Sequence, residues 1–163
     1  MTRVINVTLD PSSIDRAIRE LRDYKQWLQT KANELAERLA NMGAPNVSLG
    51  YARAFYQGDR NVDVTVEQRS ENTFAIVAGG ESVLFLEFGA GIKYGYGHPQ
   101  DGQFGYGPGT YPGKGHWNDP RGWYIPGSGE HTYGNPPSMT MYKTAEELKR
   151  DLVNIAREVF ASD

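Results

Sequence analysis

The chain predicts an α+β fold: long N-terminal and C-terminal helices packed on a small antiparallel β-sheet, with a long Gly/aromatic-rich loop. Three observations lead there. Helix-period apolar stripes stand at both ends of the sequence, a clean period-two alternation lies between them, and glycine is concentrated in one tract. Of 19 glycines, 14 fall between Gly89 and Gly134. A length of 163 residues is one domain's worth of chain, so residues 1–163 are read as a single domain, with 89–137 a long Gly/Tyr/Trp-rich loop inserted before the last helix.

In chain order, residues 3–9 alternate, with Ile5, Val7 and Leu9 on one side and Asn6 and Thr8 on the other, as a short half-buried strand does. Ser12 or Ser13 can then cap a helix. Ile14, Ile18, Leu21, Leu28, Ala32, Leu35, Leu39 and Met42 recur at alternating steps of three and four, with Lys25 breaking the stripe. The expected stop is Gly43, with Pro45 just beyond. The opposite face, including Arg19, Glu20, Lys31, Glu34 and Arg38, is charged and mixed in sign. Such a stripe either packs wholly on the core or partly overhangs it to meet another subunit, because a near-3.5 period suits any helix–helix contact. The sequence leaves both open.

Val47–Tyr56 is ambiguous and admits an extra strand. Val62, Val64 and Val66 alternate with Asp63, Thr65 and Glu67, and 73–78 forms a second run after Ser70-Glu71-Asn72, so a β-hairpin is expected. Gly79-Gly80 breaks the sheet. Glu81–Phe88 fits a short helix or a buried strand. From 89 to 137 no periodicity survives, while Tyr, Trp, Phe and all three histidines (His98, His116, His131) accumulate. A stretch this long without structure is functional or disordered, and its aromatic content argues against plain disorder. A last helix is expected over about 139–161, with Ala145, Leu148, Leu152, Ile155, Ala156, Val159 and Phe160 inward.

Composition removes several functions. Net charge is −3, which supplies no basic field for nucleic acid phosphates. No run approaches the ~18–20 apolar residues of a membrane span, and the N-terminus lacks a signal peptide's apolar run. Cysteine is absent, so disulfides, thiol catalysis and the usual zinc sites are out.

No catalytic constellation stands out. The three histidines lie near Asp101, Asp119 and Glu130, but not at a helical i, i+4 metal spacing. Gly89-Ala90-Gly91 lacks the Lys-Ser/Thr of a phosphate loop, and no G-x-S-x-G elbow exists. The expectation is no enzyme, no cofactor, no catalytic residue and no metal. Tyr and Trp faces among glycines suit sugar stacking or protein contact equally.

Two stretches carry a family resemblance: Val83-Leu84-Phe85-Leu86-Glu87-Phe88-Gly89-Ala90-Gly91-Ile92, and Asn135-Pro136-Pro137-Ser138-Met139-Thr140-Met141-Tyr142-Lys143-Thr144-Ala145. Together, with the loop between and helices outside, they resemble the neck or tail-completion (head–tail joining, minor tail component) proteins of long-tailed bacteriophages and prophages. Ala90 stands where many members have Thr. The matched motif residues are Leu86, Glu87, Phe88, Gly89, Gly91, Pro136, Pro137, Met141 and Tyr142.

The resemblance implies a structural virion protein, made in the bacterial host cytoplasm. It would form a homo-oligomeric ring joining the capsid connector to the tail. Partners would be itself, head-closure or connector proteins, and tail terminator or tail tube proteins. DNA would pass through without sequence-specific binding, and no membrane is involved. Within that reading Tyr94, Tyr96, Phe104, Tyr106, Tyr111, Trp117, Trp123, Tyr124 and Tyr133 are the candidate protein contacts. Glu87 either points to solvent or makes an inter-subunit or loop-anchoring hydrogen bond. The alternatives are a tail terminator ring capping the tail tube, and a glycan-binding or glycan-cleaving module using the aromatic loop.

Overall fold

The computed structural model describes residues 4–94, 97–104, 119–125 and 127–162. The fold is α+β. Helix α1 (Pro11–Arg53), strands β1 (Asp63–Ser70) and β2 (Thr73–Gly79), and helix α2 (Val83–Phe88) come first. Strands β3 (Trp123–Tyr124) and β4 (His131–Thr132) and helix α3 (Thr140–Ala161) follow.

Helix α1 has 43 residues, about 65 Å at 1.5 Å per residue. Its cap is Asp10, not Ser12 or Ser13. The Asp10 carboxylate accepts from the Ser13 N–H at 2.9 Å and the Ser12 hydroxyl at 2.6 Å. These bonds, the Ser12 hydroxyl foremost, hold its pKa down at about 2. Pro11 occupies the first turn, where its missing N–H costs nothing.

The expected stop at Gly43 fails, and with it the extra strand over 47–56: α1 runs through Gly43 and Pro45 to Arg53. An interior proline costs about 3 kcal/mol. What outweighs it lies just beyond. Val47 and Tyr51 are buried in the central cluster with Ala54, Val83 and Leu86, and each large apolar side chain buried is worth about 1.5–3 kcal/mol. Gly43 is a crossing point rather than a cap. A Cβ there would stand 2.6 Å from Ile76 Cδ1 and 2.9 Å from Leu148 Cδ1.

Strands β1 and β2 form the expected antiparallel hairpin, with Val64 opposite Ala78 and Val66 opposite Ile76, and an irregularity between Gln68 and Ser70. Val62, Val64, Ile76 and Ala78 pack on the core cluster. The apolar run before Gly89 is a helix. The C-terminal helix lies antiparallel to the second part of α1: Gly50 meets Thr140, Gly43 meets Thr144 and Leu148, and Arg38 pairs with Glu158. At the end of α3 the Lys31 ammonium donates to Ser162 Oγ at 3.0 Å and to Glu34 at 3.1 Å. Lys31 is therefore buried, although its sequence position suggested the outer face.

Beyond that end, where Trp27 still meets Phe160 with ring centres 5.8 Å apart, α1 continues past α3. Every residue from 18 to 30 is exposed, including Ile18, Leu21 and Leu28, so the first half of the stripe overhangs the domain. The strand expected at 3–9 does not form. Val4–Thr8 joins no ladder, because it sits at the far end of α1 from the hairpin. The tract 89–137 carries more order than its sequence suggested: a 3-10 turn at Gly102–Phe104, and β3 paired with β4.

Candidate functional site

The two motif stretches, far apart in sequence, are stitched together in space, and Glu87 is the stitch. Gly79-Gly80 ends the hairpin and α2 turns inward, burying Glu87 to 5 % exposure. Four donors converge on its carboxylate. Oε2 accepts from the Tyr51 hydroxyl at 2.9 Å and the Met141 N–H at 3.0 Å. Oε1 accepts from the Tyr142 N–H at 3.1 Å and lies 3.2 Å from His98 Nε2.

Met141 and Tyr142 open α3, whose own cap residue, Met139, has no side chain that accepts hydrogen bonds from free N–H groups. Those groups need an acceptor. Glu87 supplies one from another element and places negative charge at the positive end of the helix dipole. Met139 itself adopts a left-handed conformation, φ 55°, which costs an L-residue about 1–2 kcal/mol. Its N–H is held by the Glu87 carbonyl at 3.2 Å, and the preceding Ser138 N–H by the Leu86 carbonyl at 2.8 Å.

The backbones close on each other next to this node. Ala90 and Asn135 exchange both bonds, at 2.9 and 3.0 Å, and the Asn135 amide donates to the Phe85 carbonyl at 2.8 Å. The approach explains the glycines of the motif. Gly89 and Gly91 have φ of 80° and 79°. A Cβ on Gly89 would meet Pro137 N at 2.8 Å, and one on Gly91 the Tyr133 carbonyl at 2.6 Å. Further out, the buried Thr132 donates its hydroxyl to Gln57 Oε1 at 2.6 Å. The result is a clamp at the base of the loop.

Above the clamp lies a cleft of about 440 Å³, whose lining includes Leu84, Phe88, His98, Phe104, Met141 and Tyr142. His98 is 4 % exposed and packs against Phe88, ring centres 4.2 Å apart. Its Nδ1 accepts from the Gln100 N–H at 3.1 Å, which leaves the proton on Nε2, facing Glu87. Both ring nitrogens and both carboxylate oxygens are thus engaged. Gln100, Glu146 and Lys149 also line the cleft, and its Glu–His pair is bonded within the fold. Burial first, then the Glu87 charge and hydrogen bond, push the Tyr51 phenol far above its ordinary range.

The motif residues gather as one body. Leu86 is fully buried and Phe88 buried; Gly89 and Gly91 meet the second stretch; Pro136 and Pro137 lead into α3, where Met141 and Tyr142 bind Glu87. The aromatic contacts scatter around it. Tyr94 leans on Phe55, Phe104 on Phe88, and Tyr133 carries the Lys93 ammonium 4.0 Å above its ring. Tyr124 is exposed and Trp123 half-buried in β3. Tyr96, Tyr106, Tyr111, Trp117 and His116 lie outside the described residues. Among those described, no three His, Asp or Glu side chains gather as metal ligands.

Sequence reasoning missed Tyr51, which it placed in an ambiguous segment, and saw His98 only as a weak metal candidate. The step Val47–Tyr51 past Pro45 was the one available signal that the helix continues.

Comparison with known protein families, curated proteins and solved structures finds no match to this chain.

Proposed function

We propose that the chain is a structural protein of a phage neck, a ring subunit joining the capsid connector to the tail and acting by assembly. One observation carries the reading. The two stretches that resemble the tail-completion family form a single clamp around Glu87, and aromatic side chains of the described parts of the loop stand exposed around it. A folded base with exposed Tyr94, Phe104, Tyr124 and Tyr133 suits contact with neighbouring subunits, since Tyr and Phe bring large area at low entropic cost. The net charge of −3 suits a wall that DNA slides past.

The test is complementation of a null phage or prophage with a Tyr124→Ala, Tyr133→Ala double variant. Removing 94–133 outright is a poorer test, because it takes His98 and Thr132 from the clamp. The variant protein should melt as the parent does, while full heads and normal-length tails accumulate unjoined in electron micrographs. Infectious tailed particles at the parental level would refute the reading. Tails of abnormal length would assign the chain to the tail terminator instead, and stoichiometric binding of an oligosaccharide by the purified protein would assign it to glycan recognition.

A further inference from the structure

We propose that Val4–Leu9 is a donor strand that pairs with the outer edge of β2 in a second copy of this chain. The inference deepens the ring reading, on which it rests, by naming a contact between neighbours.

Donor and acceptor are both present, and among the described residues neither has a strand partner on the side in question; within its own chain the donor segment is held at Thr8, whose N–H donates to Ser13 Oγ at 3.0 Å. Val4–Leu9 belongs to no helix or ladder, carries no charge, and alternates Ile5, Val7 and Leu9 with Asn6 and Thr8. Ile5 is half-buried, but Val4, Val7 and Leu9 are 73, 53 and 102 % exposed, so most of the apolar pattern faces solvent. The acceptor is a two-stranded sheet with two edges. The β1 edge is protected by charge, with Asp63 and a Glu67–Arg69 pair at 2.6 Å. The β2 edge is Thr-Phe-Ala-Ile-Val-Ala-Gly, without a charge or a proline. Among the described residues its backbone bonds to no segment but β1. Edges of that composition attract strands, and proteins that leave them bare risk aggregation.

The partner must be another copy, because the chain cannot reach its own sheet. The near end of the hairpin is marked by Gln68, whose amide donates to Asn33 Oδ1 at 3.4 Å. From Asp10 to Asn33, α1 covers about 35 Å. Six extended residues cover about 20 Å. Pairing in trans is a head-to-tail contact, the kind that closes into rings.

Docked beside β2, Ile5, Val7 and Leu9 would continue the inner row of Phe74, Ile76 and Ala78. Asn6 would fall on the outer face beside Ala75 and Val77.

The chain has no cysteine, so introduced thiols report without background. Asn6→Cys protein is mixed with Ala75→Cys or Val77→Cys protein and mildly oxidised. A two-chain disulfide product is expected in at least one mixture, in neither β2 variant alone, and at background level when Val7→Pro is added to the donor chain. Absence of product from both mixtures overturns the proposal. So does equal product from Val77→Cys protein alone, which would mean that two β2 edges meet each other. Rings that assemble without the cross-link would remove this contact and leave the neck reading standing. A trans cross-link in a protein whose loop variants still give tailed particles would keep the contact and remove the neck reading.

Discussion

Replacing Glu87 by Gln tests the clamp with almost no change of shape. The carboxylate faces four donors, two on each oxygen. An amide keeps one oxygen and puts an NH₂ where the other stood. If the NH₂ replaces Oε2, the Tyr51 hydroxyl can rotate to accept from it, but the Met141 N–H is left facing a donor. If it replaces Oε1, the Tyr142 N–H is orphaned, and the His98 proton cannot move to Nδ1 without unpairing Gln100. At least one buried N–H therefore loses its partner, at about 1–3 kcal/mol. The bonds that remain lose charge assistance, while the relief from burying a charge returns part of that loss. The net expectation is about 2–3 kcal/mol, and a protein of this size loses about 2–4 °C per kcal/mol.

Thermal unfolding followed by circular dichroism should thus show a drop of roughly 4–12 °C. Glu81→Gln, a change at an exposed residue before α2, should stay within about 0.5 kcal/mol. A Glu87→Gln midpoint indistinguishable from the Glu81→Gln control would refute the remote-capping account of α3.

Two further outcomes follow from the same packing. Because burial and Glu87 raise the Tyr51 pKa, the folded protein keeps that proton after the unfolded chain has released it. Stability from this site is complete below about pH 10 and falls as pH rises beyond it; denaturant midpoints between pH 8 and 11.5 should show the decline, and Tyr51→Phe should flatten it to the residue left by Tyr56, which burial also raises. Gly43→Ala, ordinarily a gain of about 1 kcal/mol inside a helix, should give no gain, because the new methyl must displace the ends of the Ile76 and Leu148 side chains and an overpacking cost of at least about 1 kcal/mol cancels the propensity. A raised melting temperature would mean that the two helices part more easily than their contact implies.

Local signals rendered the local structure well. The hairpin and the last helix stand where alternation and the three-four stripe put them, since each buries a face within its own span. Gly43 and Pro45 misled because stop signals describe an isolated helix, whereas Val47 and Tyr51 draw the chain onward into a core built from later residues. The strand pattern at 3–9 was real as a pattern. What it lacked was a sheet within reach, which no single sequence discloses. Glu87 sat visibly between apolar neighbours, and its choice between solvent and anchorage depended on two N–H groups more than fifty residues away. The outer half of α1 could not be told from the inner half, because both carry the same stripe and only the length of α3 divides them.

The Ala90–Asn135 bridge has one more consequence. It fixes the two ends of the 90–135 span, and the entropy of closing such a span grows slowly with length, by about 0.6 kcal/mol for each doubling. The register of α2 against the start of α3 is therefore set by this bridge and the Glu87 bonds, and hardly by the length of the chain between them.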